Sequence, residues 1–248
     1  MSNLGRFRGG LLRALSAFLI VLACSWLALY FDSIYQRRKA ERFLSDLRSF
    51  PFASAGFVEV RDLVTRYGGA GLQELPQRFP LSCTIRDCTF EVWIRHRLLQ
   101  LPLKPPAWQL LYSTLPYFGI RPWVVYSQFE VKDGKLSRSV TKVGQLRRGR
   151  LKSYEGLLPI EYEVWTDREP PTLDLGSAGY VVGPPTAITG PFEELWMAQV
   201  PQLPDAPVSR AFDLDLHCFT SILRGCNGFR ELAPSAWADN QESRRKEE

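Results

Sequence analysis

Asp213, Asp215 and His217 fall at alternate positions of one short segment, Phe212 to Cys218. In a β-strand, alternate side chains emerge on one face. Two carboxylates and an imidazole in such a row can hold a divalent cation, or orient the histidine as a general base. These three are the candidate catalytic residues. The competing reading is a half-exposed strand whose polar side meets water, with Phe212, Leu214, Leu216 and Cys218 turned inward. Glu161 and Glu163 make a second alternating acidic pair, open to the same two readings. His96 is the only other histidine, which leaves little material for histidine-rich metal centres and few general bases.

No familiar catalytic signature accompanies them. The nearest approach to a Gly-x-Ser-x-Gly elbow, Gly176-Ser177-Ala178-Gly179, has the wrong spacing. The His-Glu-x-x-His helix, the phosphate-binding Gly-x-x-x-x-Gly-Lys loop and the dinucleotide fingerprint Gly-x-Gly-x-x-Gly are missing. No cofactor is expected. Among seven tryptophans, Trp93 and Trp165 fall on the non-aliphatic side of their strands and are the candidates for an aromatic platform that binds sugars or lipids. The alternative for a tryptophan in a β domain is a core or interface position.

Of five cysteines, Cys24 lies in an apolar segment and Cys83, Cys88, Cys218 and Cys226 lie beyond it. Four cysteines allow three disulfide connectivities. The expected pairs are Cys83–Cys88, closing the loop Thr84 to Asp87, and Cys218–Cys226, around the turn-prone Arg224-Gly225. Zinc is the alternative, with His96 or His217 completing a ligand set, but the spacing from Cys218 to Cys226 is too wide for a zinc knuckle. Disulfides persist in oxidising compartments.

Ala14 to Phe31 contains no charged residue, and a bilayer core is crossed by roughly 20 apolar helical residues. A cleaved signal would have a shorter apolar run and small residues at its end. Here the run closes on Trp26, Leu27, Leu29, Tyr30 and Phe31, and Trp26, Tyr30 and Tyr35 suit headgroup depth. Val21-Leu22-Ala23-Cys24-Ser25 resembles a lipobox, yet the chain stays apolar after Cys24 instead of turning into a polar tether. An uncleaved anchor is the favoured reading. Arg6, Arg8 and Arg13 before the segment nearly balance Arg37, Arg38, Lys39 and Arg42 after it. The positive-inside rule is thus close to a tie, and the disulfides break it toward a cytoplasmic N-terminus.

The elements that must position these residues follow from periodicity. Ala40, Phe43, Leu44, Leu47 and Phe50 form one helical stripe ending at Pro51. It can dock on the domain or pair with a second chain, with Phe43, Leu44 and Leu47 as the contact to a protein partner. A second helix is expected from Phe57 to Tyr67, capped near Ser54 and stopped by Gly68-Gly69. Alternation then predicts strands through Phe90–Ile94, Trp123–Val131, Leu136–Lys142, Ile160–Trp165, Tyr180–Val182 and Phe212–Cys218. Asp133-Gly134 marks a hairpin, and a short helix is expected after Gly190, with Phe192, Leu195, Trp196 and Gln199 on one face. Proline clusters, including Pro105-Pro106 and Pro184-Pro185, mark loops.

The expected class is α+β: an N-terminal transmembrane helix and helical stalk, then a mainly antiparallel β-sheet or sandwich with a few short helices. The expected divisions are a basic cytoplasmic N-terminus (1–13), the transmembrane helix (14–31), stalk and second helix (32–70), an extracytoplasmic β-rich domain (71–237) and a polar tail (238–248). Net charge is +5, with its densest patch at Arg147, Arg148, Arg150 and Lys152. That patch either touches anionic headgroups or an acidic polymer, or is a solvated loop. No RNA motif or zinc-finger spacing appears, so nucleic acid is not an expected partner; the lipid bilayer is. The expected function is that of a single-pass, membrane-anchored, non-catalytic binding or envelope-interaction module. The alternative is a membrane-anchored hydrolase or metal-assisted enzyme using Asp213, Asp215 and His217.

Overall fold

The computed structural model describes residues 3–71, 83–100, 114–145, 160–167, 179–183, 193–199, 212–221, 225–226, 229–235 and 238. The basic patch at 147–152, the proline clusters and nearly all of the polar tail lie outside them.

One helix, α1 (Asn3–Arg48), carries the apolar segment and the stripe that follows it. The apolar segment and the stalk stripe are therefore a single rod. No glycine or proline lies between Ala14 and Phe50 to interrupt the hydrogen-bond ladder. Its two halves differ in surroundings. Phe18, Ile20 and Phe31 are 60%, 62% and 64% exposed, while Ala40, Phe43, Leu44 and Leu47 are buried. Among the described residues α1 is the one helix long and apolar enough to cross a membrane. The second helix, α2 (Phe57–Arg66), starts at Gly56, whose N–H donates to the Glu59 carboxylate at 2.9 Å. The cap is thus two residues after Ser54.

The strands are β1 (Ala70–Gly71), β2 (Cys88–Arg95), β3 (Trp123–Lys132), β4 (Lys135–Gln145), β5 (Ile160–Asp167), β6 (Gly179–Gly183) and β7 (Glu193–Gln199). They form one sheet in the order β1-β2-β3-β4-β5-β7-β6. Pairing is antiparallel except between β5 and β7, which run parallel. The fold is α+β, and among the described residues the sheet is packed by helices instead of by a second sheet. Asp133 and Gly134 close the β3–β4 hairpin with φ of 51° and 74°, the doubly positive conformation of a two-residue type I′ turn.

Alternation along β2 and β3 separates a core face from an outer face, and a bulge between Glu130 and Val131 shifts the register with β4. Phe90, Val92 and Ile94 of β2 and Trp123, Val125, Phe129 and Val131 of β3 join α1 and α2 in the core. Strand β3 runs alongside α1. At its start the buried Trp123 indole donates to Ser33 Oγ at 3.1 Å; toward its end the Phe129 ring lies 6.3 Å from Phe50. The start of β3 is therefore the end of the domain nearest the exposed half of α1. Asp46 ties the helices together, accepting from Arg66 at 2.7 Å and from the Tyr67 hydroxyl at 2.9 Å. Burial, reinforced by the Asp46 carboxylate, pushes the Tyr67 phenol up to about 12.

Two expected elements are different. Phe212–Cys218 is not a strand: the chain turns at Phe212, whose carbonyl accepts the Leu214 N–H at 3.0 Å, and then enters a 3-10 turn, Leu216–Thr220. Asp215 caps that turn by accepting the His217 N–H at 2.9 Å. A short acidic side chain bonding its own backbone offers an alternative to a sheet ladder. The segment after Gly190 is strand β7 at Glu193–Gln199, not a helix; its pairing with β5 and β6 overrides a helical spacing that runs only from Phe192 to Gln199.

The expected disulfides are present, Cys83–Cys88 with Cα atoms 4.4 Å apart and Cys218–Cys226 at 4.7 Å. The second lies beside the sheet end through Gln145. Its side chain is buried, accepts the Cys226 N–H at 2.9 Å and donates to the Phe219 carbonyl at 3.3 Å. Gly225 turns the chain here with φ of 65°, where a Cβ would also meet Arg121 at 2.6 Å.

His96 is 2% exposed and its Nδ1 accepts the Leu98 N–H at 3.3 Å. Burial pulls its pKa down to about 4, against an opposing pull from Asp32. The folded domain keeps this ring neutral while an unfolded chain binds a proton near pH 6.5. His96 therefore lends stability that is complete above about pH 6.5, erodes as pH falls, and is gone below about pH 4. Urea titrations across that range should show a loss approaching about 3 kcal/mol from this group; His96→Gln should flatten that part of the profile, and an unchanged profile would contradict it. Phe43→Ala should lower stability by about 3–5 kcal/mol by opening a core cavity, whereas Phe18→Ala should leave the domain's unfolding midpoint unaltered.

Candidate functional site

Asp215 and His217 stay together, while Asp213 is engaged elsewhere. Asp213 is engaged by Arg48 through a close ion pair and by Ser235 Oγ at 2.6 Å. Arg48 also donates to the Phe212 carbonyl at 3.0 Å. Asp213 thus fastens the C-terminal segment to the end of α1. Asp215 caps the 3-10 turn and lies 3.0 Å from His217 Nδ1, with His217 exposed. Both carboxylates are occupied in holding local structure. Among the described residues, no three His, Cys, Asp or Glu side chains gather closely enough to hold a metal ion.

A different cluster does assemble, on the face of the sheet turned away from the helices. Antiparallel register sets Trp93 opposite Tyr126, Tyr126 opposite Lys142 and Lys142 opposite Glu163. The adjacent row is Glu91, Gln128, Val140 and Trp165. The Trp93 and Tyr126 rings are 4.2 Å apart at a 42° tilt, and the Arg95 guanidinium lies 5.7 Å from the Trp93 ring. Trp93 is 50% exposed.

Glu91 organises this pair. One carboxylate oxygen accepts the Trp93 indole N–H at 3.1 Å and the other accepts the Tyr126 hydroxyl at 2.8 Å. The hydroxyl oxygen also lies 3.0 Å from Gln128 Oε1, so its single proton is shared between two acceptors. Burial, then the bond to Glu91, push the Tyr126 phenol well above its ordinary value; it stays protonated at any physiological pH. The polar edges of both rings are consumed within the cluster. What the cluster offers outward is aromatic ring surface bordered by charged and amide side chains. Beside it Gln128, Glu130, Arg138, Val140 and Lys142 line a shallow open depression.

Of the sequence-derived candidates, the structure places Trp93 in this cluster and puts Trp165, Glu161 and Glu163 at register positions two and three strands away. Tyr126, Glu91 and Gln128 were not singled out by sequence. The available signal was that Tyr126 and Gln128 alternate with buried Val125, Ser127 and Phe129; the pairing with β2 required the register.

The sequence matches no protein-family model, no curated protein and no solved structure.

Proposed function

We propose that this chain is a single-pass membrane protein, N-terminus in the cytoplasm, whose extracytoplasmic domain is a non-catalytic binding module working through the outer face of its sheet. The observation that carries the binding reading is the Trp93–Tyr126 pair fixed by Glu91. Aromatic rings held in one arrangement present contact area without an ordering cost at the moment of binding. Ring faces bordered by hydrogen-bonding side chains match a ligand with apolar C–H faces and many hydroxyls, that is, a carbohydrate chain. The membrane reading rests on the length and exposure of the first half of α1. The extracytoplasmic reading rests on the two disulfides. The hydrolase reading has less support, because Asp213 and Asp215 are engaged in structural contacts.

A reporter fused after Glu248 should be active outside the cytoplasm, and activity only in the cytoplasm would reverse the orientation. Full-length protein in lipid nanodiscs should co-sediment with insoluble envelope polysaccharide. Trp93→Ala with Tyr126→Ala should reduce that retention at least tenfold, since each lost aromatic contact is worth roughly 1 kcal/mol or more. Equal retention of the double variant and the parent, both folded, would remove the sheet face from the reading.

A further inference from the structure

The domain does not stand clear of the apolar half of α1. The Trp26 indole donates to the Phe118 carbonyl at 3.2 Å. Trp26 lies five residues before Phe31, the end of the uncharged segment, or about 7.5 Å along the axis at 1.5 Å per residue. Leu29 and Tyr30 line the same niche as Gly119, Ile120 and Arg121. The last turn and a half of the apolar segment is thus already covered on one side by the loop that precedes β3.

This overlap constrains depth. If the whole domain lay in water, the apolar helix left for the bilayer would run only from Ala14 to Ser25, about 18 Å. A hydrocarbon core is about 30 Å thick. The full segment from Ala14 to Phe31 spans about 27 Å and meets that need. Helix and loop must therefore enter the membrane boundary together. The loop is built for it. The 3-10 turn Leu115–Phe118 ends in Tyr117 and Phe118, which are 68% and 67% exposed. Trp26 and Tyr30 stack beside them with ring centroids 5.5 Å apart. Four aromatic side chains gathered around this one turn of helix match the girdle found where a spanning helix leaves the hydrocarbon.

We infer that the Leu115–Ile120 loop is a second membrane contact, with Tyr117 and Phe118 inserted at the headgroup–acyl boundary of the leaflet from which α1 emerges. The inference rests on the spanning role proposed for α1. The occupant is lipid, and the continuity of the loop with the apolar helix surface argues for it over a protein partner. The domain is then seated on the bilayer by two elements, and strand β3 leads away from the surface.

The test is nitroxide labelling of full-length protein in phosphatidylcholine–phosphatidylglycerol vesicles, with Cys24→Ser removing the free thiol. Labels replace Phe118, Tyr117, Phe18 in the middle of the apolar segment, or Ile85 at the opposite end of the sheet, which is 72% exposed. Collision with lipid-soluble oxygen and with a water-soluble nickel chelate is measured at each. At Phe118 and Tyr117 oxygen should win several-fold, giving a depth below the phosphates but shallower than Phe18, while at Ile85 the chelate should win. Labels at Phe118 and Tyr117 that behave like Ile85, with Phe18 still in lipid, would overturn the loop contact and leave the span standing. A water-exposed label at Phe18 would overturn both.

Discussion

Everything in this molecule depends on one helix that keeps its geometry while its surroundings change. From Ala14 to Phe31 it carries no charged side chain, and Phe18, Leu19, Ile20 and Val21 are exposed. Its second half narrows to a stripe, Ala40, Phe43, Leu44 and Leu47, with Arg38, Arg42 and Ser45 on the exposed side. A helix apolar all round must be buried in something, and a helix apolar on one face must be docked on something. Because no breaker separates the two halves, satisfying the second requirement fixes the position of the domain relative to the first.

Docking is secured by polar contacts at three levels along the rod. Ser33 receives the Trp123 indole, Arg37 donates to Thr220 Oγ1 at 2.7 Å, and Arg48 reaches the Phe212 carbonyl and Asp213. The Arg37 and Arg48 bonds bring the C-terminal segment, 183 and 164 residues away in sequence, against the first helix. The disulfides act at opposite ends of the sheet. Cys83–Cys88 abuts the β3–β4 hairpin, where Gly134 donates to Arg86 at 2.8 Å. Cys218–Cys226 abuts Gln145 at the other end. Loops this short remove little unfolded-state entropy, so each bridge chiefly fixes the local path of the chain.

With the inner face of the sheet committed to the helices, the outer face remains for contact with anything else. Its arrangement is not that of a plain solvated surface. A carboxylate divided between an indole and a phenol holds two large rings that would otherwise sample several rotamers, and the Arg95 guanidinium lies near the Trp93 ring. The same bonds that immobilise the rings also hide their polar edges, which is why ring surface, not hydrogen-bonding capacity, is what this patch displays.

Local patterns in the chain were enough to determine the helical stripe from Ala40 to Leu47, the alternation of β2 and β3, the Asp133-Gly134 turn and both disulfides. Each depends on residues within one element or a few positions apart, where spacing and backbone preference act directly. Tertiary structure decided the rest. Phe212 to Cys218 has a strand's alternation, and its apolar positions are indeed buried, but Asp215 caps the turn that follows and keeps His217 beside it, while Asp213 pairs with Arg48. Glu193 to Gln199 has a helix's spacing, but β5 and β6 supply hydrogen-bond partners on both sides. The Glu91–Trp93–Tyr126 cluster and the Trp26–Phe118 contact join residues 35 and 92 positions apart. No periodicity records such distances, because they are set by strand register and by the angle at which the sheet lies on the helix, and both emerge only when the core closes.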